Sequence, residues 1–254
     1  MRAFSGIVDL PALFIVVAAL IIIALSNGFA VKKTALSARA LLMEVALLML
    51  LINFVPLFDD PLNFMTLPYV LSFSLVIFVL VGFVLISLHA ALPENSLPAT
   101  TATSATAPLL FRLAAVVASV LGIGFLASGN ASLMDYFPAD AVVFFVAILF
   151  WLSVFARFVG HQPILTSTIE TLPNIAILGL VLGISAAVLD VYEIGFLLPL
   201  LGFGVSVAFL SLLLRLLLRL GSGSASNMGF GRYALLCLLL VASVCLVLLA
   251  QAIA

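Results

Sequence analysis

The sequence has very little charge for its length. Only 7% of its 254 residues are Asp, Glu, Lys or Arg, whereas soluble domains have about 25%. Apolar residues make up 66% of the chain, and the mean hydropathy is +1.47. So few charged groups cannot cover a water-facing surface, and the composition therefore excludes a soluble fold.

Cysteine and histidine are also scarce. Cys237 and Cys245 both fall inside the last apolar run, where they form neither a disulfide framework nor a metal motif. His89 and His161 have no Cys, Asp or Glu at ligand spacing. The chain has no phosphate-binding glycine loop, no nucleophile near a base and no basic aromatic patch. The sequence therefore predicts no enzyme, no cofactor, no metal site and no nucleic-acid partner.

Long apolar runs fill most of the chain. A helix needs about 20 apolar residues to cross a bilayer, and these runs are continuous instead of alternating as in a membrane barrel. We predict an all-α polytopic membrane protein with about eight transmembrane helices and the lipid bilayer as its surroundings. The predicted spans are residues 10 to 28, 40 to 57, 67 to 88, 109 to 128, 140 to 159, 172 to 189, 195 to 217 and 232 to 253.

The charges divide between the two sides of this predicted topology. The basic connections contain Lys32, Lys33, Arg39, Arg112, Arg157, Arg215, Arg219 and Arg232. The acidic connections contain Asp9, Asp59, Asp60, Asp135, Asp140, Asp190 and Glu193. Because basic loops stay in the cytoplasm, we predict a multi-pass protein of the bacterial inner membrane with both termini in the periplasm.

An internal repeat is indicated by a gap-free shift of 131 residues. The aligned pairs are Asp9 with Asp140, Leu41 with Leu172, Leu47 with Leu178, Asp59 with Asp190, Pro68 with Pro199, Val76 with Val207 and Phe78 with Phe209. We predict two membrane repeats of four helices each, residues 1–130 and 131–254. Since four is even, the two repeats would have the same orientation. The alternative is a chance alignment of apolar residues.

In Leu126–Arg157, a glycine-containing helix leads through an acidic turn into an apolar helix, and this order resembles the first hairpin of the MotA/TolQ/ExbB proton-channel family. Val8–Val17 is similar to the start of that family's second helix. Thr171–Ser185 resembles the third helix, which opens with a proline and runs into a glycine-spaced core. Asp190–Pro199 and Asp59–Pro68 resemble the acidic turn before the fourth helix. The resemblance implies a subunit that oligomerises or surrounds the single helix of a membrane partner, with proton or sodium flow between them.

A short set of residues is a candidate ion path or helix contact. Glu44 is the one carboxylate inside a predicted span, one turn from its cytoplasmic end, where it either has a function or reaches the interface and Arg39. The small residues permit close helix packing or line an ion path. The two asparagines are expected to be buried by their position and to bond across helices or bind substrate. These further candidates are Asn53, Asn174, Gly179, Gly183, Ser185, Gly202, Gly204 and Ser206.

Three functions remain open on the sequence. The first is the family-like subunit, whose partner contact we place on the glycine faces of spans six and seven. The second is a small secondary transporter with a site between its halves, although buried polar residues are scarce. The third is a non-conducting structural subunit, and one observation in its favour is that Leu180 follows Gly179 where the family usually has Thr or Ser.

Overall fold

The described part of the chain forms eight α-helices. The computed structural model describes residues 10–58, 61–91, 109–130, 132–160, 163–189, 194–222 and 228–253, and these residues contain no strand. The helices are α1 (Leu10–Ser26), α2 (Val31–Phe54), α3 (Leu67–Ala91), α4 (Leu109–Asn130), α5 (Ala139–Gly160), α6 (Ile164–Leu189), α7 (Ile194–Ser222) and α8 (Phe230–Ile253). Short 3-10 helices follow α2 and precede α3 and α5.

The predicted fold class is confirmed. Six of the helices are long and apolar enough to cross a membrane, while α1 and the apolar part of α5 (Ala139–Phe155) are shorter. The chain is therefore an all-α polytopic membrane protein. The acidic residues Asp9, Asp59, Asp60, Asp190 and Glu193, as well as His161, lie outside the described residues.

Two helices begin earlier than the hydropathy predicts. Spans two and six were expected at residues 40 and 172, but α2 begins at Val31 and α6 at Ile164. The added segments, residues 31–39 and 164–171, contain polar residues but neither proline nor glycine, so nothing in them breaks a helix. Hydropathy marks the apolar part of a helix and not the residue at which its backbone ends.

Helices α2 and α7 form the centre of the bundle. About 83% of the span of α2 and 67% of that of α7 are buried, compared with 22% for α3 and 17% for α4. Helix α7 contacts α1, α2, α4, α5, α6 and α8. Polar side chains that α2 or α7 directs into this centre are therefore shielded from lipid and must find partners within the protein.

Most of the described basic residues lie at one end of the bundle. Arg39 at the start of α2 bonds through Nη2 to His89 Nδ1 at the end of α3, over 2.9 Å. Arg112 at the start of α4 donates from Nη1 to the carbonyl of Ser222 at the end of α7, over 3.1 Å. We call this the basic end, where the even-numbered helices begin, and the opposite one the acidic end.

Glycine brings α6 and α7 into close contact. A Cβ atom on Gly183 would lie 2.7 Å from the carbonyl oxygen of Leu200, and one on Gly204 would lie 2.8 Å from the carbonyl oxygen of Gly179. Real Cβ atoms do not approach backbone atoms so closely. These positions therefore need glycine for the two helix backbones to meet, as is usual in membrane helix packing.

A tyrosine completes the hydrogen bonding at the acidic end of α2. Pro56 has no N–H group, so it cannot bond to the carbonyl of Ile52 four residues earlier. The hydroxyl of the buried Tyr136, from the 3-10 helix before α5, donates to that carbonyl over 2.9 Å. Burial, with a smaller effect from Asp135, raises the pKa of Tyr136 to about 12. The connection between α4 and α5 is thereby fixed to the central helix.

The helix boundaries follow the offset of 131 residues for three pairs. Helices α1, α2 and α3 begin at Leu10, Val31 and Leu67, and α5, α6 and α7 begin 129, 133 and 127 residues later, respectively. Helix α8 begins 121 residues after α4, so the fourth pair does not fit. The division into two repeats stays a prediction.

Candidate functional site

Glu44 lies in the interior of the bundle, with 1% of its side chain exposed. Its Oε1 atom accepts hydrogen bonds from Arg215 Nε at 2.9 Å, Arg219 Nη1 at 2.5 Å and the Tyr233 hydroxyl at 3.4 Å. We call these four residues the charge cluster. It ties α2, from the first half of the chain, to α7 and α8, from the second.

The two arginines occupy one face of α7. They are four residues apart, which places their side chains about one helical turn from each other. Each is only 1% exposed, and leucines separate them along the chain. A guanidinium group in an apolar interior is costly unless it is paired, so Arg215 and Arg219 need the carboxylate that α2 supplies.

Helix α6 contributes a backbone carbonyl to the cluster. The helix continues through Pro173, which has no N–H group and so leaves the carbonyl of Ile169 without its helical donor. Nη1 of Arg215 donates to this carbonyl. The proline therefore creates the acceptor that completes part of the hydrogen bonding of Arg215.

The cluster has more positive than negative charge among the described residues, because two guanidinium groups face one carboxylate. Arg219 Nη1 also donates to the carbonyl of Ala40, at 3.1 Å. Nε and Nη2 of Arg219, and Oε2 of Glu44, are buried without a hydrogen-bond partner in the part of the chain described. Nε and Nη2 share the edge of a guanidinium group that binds carboxylate or phosphate with two parallel bonds. This chemistry suits an oxyanion.

A second polar region lies near the acidic end. Asp135, Asp140, Gly202 and Ser206 are among the residues that line a cavity of about 330 Å³. Ser206 precedes Arg215 by nine residues, or about 13 Å along α7. Residues 207–212 between them are buried, so packed side chains close the charge cluster off from this cavity.

Of the residues that the sequence singled out, Glu44 alone joins the cluster. It lies thirteen residues after the start of α2, at Val31, and therefore deeper in its helix than the predicted single turn. Asn53 is half-buried near the acidic end, where its Nδ2 donates to the carbonyl of Met49 in the same helix over 2.7 Å. Ser206 is buried and lines the acidic-end cavity.

The candidates on α6 and the start of α7 are dispersed. Gly179, Gly183 and Gly204 lie in the contact between these helices, and Gly202 faces Phe58, with 3.4 Å from an added Cβ to that of Phe58. We expected Asn174 to be buried, and this is wrong because its side chain is exposed. Ser185 is also exposed, because it follows Gly183 by two residues and so lies on the other side of the helix. These residues do not form one polar lining.

Sequence reasoning missed Arg215, Arg219 and Tyr233 as site residues. We placed both arginines at a basic connection, although Arg215 falls within the predicted span of residues 195 to 217. Arginines four residues apart in a leucine-rich helix are a usable signal, because one helical face then has two charges that need partners. Nothing in the sequence identifies Glu44 as that partner, since the contact joins residues 171 positions apart.

Comparison with known proteins gives no relative. No family model matches the chain, and neither a curated protein nor a solved structure matches it.

Proposed function

We propose that this protein is a small secondary transporter whose charge cluster binds an anionic solute bearing a carboxylate or phosphate group. The observation that supports this most is the buried, unpartnered Nε and Nη2 edge of Arg219 beside a carboxylate that Arg215 already neutralises. Ionisable residues inside a membrane bundle commonly mark substrate or ion pathways. Transporter sites also tend to lie where two halves of the chain meet, as this cluster does.

The packing around the cluster suits a closed state of such a transporter. The atoms of Arg219 that would hold the solute are buried, so binding requires the bundle to open. The buried part of α7 between Ser206 and Arg215 would be one barrier, with the acidic-end cavity beyond it. Alternating access by movement of one half against the other would open this barrier.

A flux assay on the purified protein tests the proposal. The protein is reconstituted alone into liposomes, and uptake of labelled inorganic phosphate and labelled succinate is measured against empty liposomes. We expect uptake of at least one anion, a loss of it in Arg219→Gln, and normal uptake in Arg232→Gln. Arg232 is a matched control because it is a basic residue near the same end but is exposed. If the folded protein takes up neither anion, or if Arg219→Gln and Arg232→Gln show the same uptake, the proposal of a transporter is wrong.

The second candidate is the subunit that resembles the MotA/TolQ/ExbB family. The recurrence of the helix boundaries of α1–α3 in α5–α7 favours it, because the resemblance rests on a duplicated unit. The glycine face of α6 is packed against α7, so a partner helix would need another surface. Purification in mild detergent separates the candidates. A single-span partner or a homo-oligomer, together with no flux by the protein alone, would favour the subunit.

The orientation in the bacterial inner membrane is part of the same proposal. Lys32, Arg112 and Arg157 stand at the basic end, which the positive-inside rule assigns to the cytoplasm. Single cysteines introduced at Lys33 and Asp135 of a cysteine-free variant report the two ends to a membrane-impermeant maleimide. In intact spheroplasts, labelling at position 135 and not at position 33 is expected, and the reverse pattern would invert the topology.

A further inference from the structure

A groove lies between α1, α2, α4 and α7, and its lining includes no residue of the charge cluster. Its more apolar part is a cavity of about 210 Å³ whose lining includes Ala19, Ile23, Gly122 and Leu216. An adjoining cavity of about 300 Å³ extends toward the acidic end and shares Ile15, Met49, Phe125 and Leu126 with the first. The two cavities therefore lie next to each other beside the central helices.

The first cavity needs an apolar occupant. Ser119 is the one polar side chain among its lining residues, so the cavity offers too few partners to hold water. Phe14 and Phe125 line it and are 75% and 78% exposed, which means that the cavity reaches the lipid-facing surface. In a membrane, the apolar molecules next to such an opening are lipid acyl chains.

An arginine stands at the basic end of the same face of α4. Arg112, Val116, Ser119 and Ile123 follow one another at spacings of four, three and four residues, which places them in one row along the helix. Arg112 therefore lies about 10 Å from Ser119 along α4, toward the basic end. Its Nη1 bonds to the Ser222 carbonyl, whereas its Nε is buried without a partner among the described residues.

We propose that this groove binds one acyl chain of an anionic phospholipid whose phosphate group pairs with Arg112. The apolar cavity accounts for the chain and the unpartnered guanidinium donor for the negative head group. Basic groups at the cytoplasmic mouth of a gap between membrane helices are typical of such lipid sites. The site does not depend on the proposed transport function, because no residue of the charge cluster lines either cavity.

Lipid adducts measured by native mass spectrometry test the proposal. The purified protein is titrated with phosphatidylglycerol and, separately, with phosphatidylcholine of the same acyl chains. We expect preferential adducts with phosphatidylglycerol. Arg112→Gln should lower that affinity about fivefold, in line with the usual effect of one basic residue on anionic lipid, while Arg112→Lys should keep most of it.

A substitution in the groove provides the second arm. Gly122 lines the cavity, and an added Cβ there meets nothing within 4 Å, so Gly122→Leu should occupy the path of the acyl chain. Gly124→Leu is the matched control, because Gly124 is equally open but does not line the cavity. Adducts should fall in Gly122→Leu and persist in Gly124→Leu, with helical circular dichroism unchanged in both. Equal binding of the two lipids, or equal adducts in all variants, would overturn the proposal.

Discussion

Replacing Glu44 by Gln should destabilise the protein far more than any other single carboxylate-to-amide change in the described chain. The substitution keeps the size of the side chain but removes the charge that Arg215 and Arg219 share. Breaking a buried ion pair by removing one partner costs about 3–5 kcal/mol, because a charge is left buried and uncompensated. Here two guanidinium groups lose their carboxylate, so we expect the loss of stability to lie in the upper part of that range.

The assay is equilibrium unfolding in mixed micelles by increasing the fraction of sodium dodecyl sulfate, followed by circular dichroism. Glu170→Gln is the matched control, because Glu170 is exposed on α6 and its loss should change the free energy of unfolding by less than about 0.5 kcal/mol. Arg219→Gln should cost less than Glu44→Gln, since it leaves one guanidinium group with one carboxylate. If Glu44→Gln and Glu170→Gln unfold alike, Glu44 is not buried against the arginines, and the reasoning is refuted.

Three further predictions concern the packing of the bundle. Tyr136→Phe should lower the free energy of unfolding by about 1–3 kcal/mol, because the Ile52 carbonyl loses its donor; an unchanged unfolding curve would contradict this contact. The pKa of Tyr136 is about 12 in the folded protein and 10 in the unfolded chain. The free energy of unfolding should therefore stay constant below pH 10 and fall as the pH rises toward 12, and this fall should be smaller in Tyr136→Phe. Gly183→Ala should destabilise by about 1–3 kcal/mol, because its methyl group meets the Leu200 carbonyl, whereas Gly124→Ala should be neutral or stabilising in the same assay.

The number and placement of the helices could be predicted from the sequence. A helix needs about 20 apolar residues to cross the bilayer, so each long apolar run indicates one helix. Most predicted spans therefore match helices α1 to α8 closely. The starts of α2 and α6 could not be predicted in this way. Hydropathy does not distinguish polar residues that continue a helix from polar residues that form a connection.

The candidate site was only partly predictable. The sequence identifies Glu44 as a candidate because it is a carboxylate within an apolar run. Its partners could not be identified, because they depend on how α7 packs against α2. The offset of 131 residues gives no help, because it pairs Glu44 with Ile175 and Arg219 with Leu88, so the cluster occurs once. Pro173 looked like the start of a helix, and its effect on the Ile169 carbonyl appears only when Arg215 is placed beside it.

The most direct test of the charge cluster is a double-mutant cycle between Glu44 and Arg219. The free energies of unfolding are compared for the wild-type protein, Glu44→Gln, Arg219→Gln and the double variant. Residues in one buried ion pair should be coupled by at least about 1 kcal/mol, so the double variant should be more stable than the sum of the single losses predicts. Strict additivity would mean that these side chains do not interact, and both the cluster and the oxyanion site built on it would be wrong.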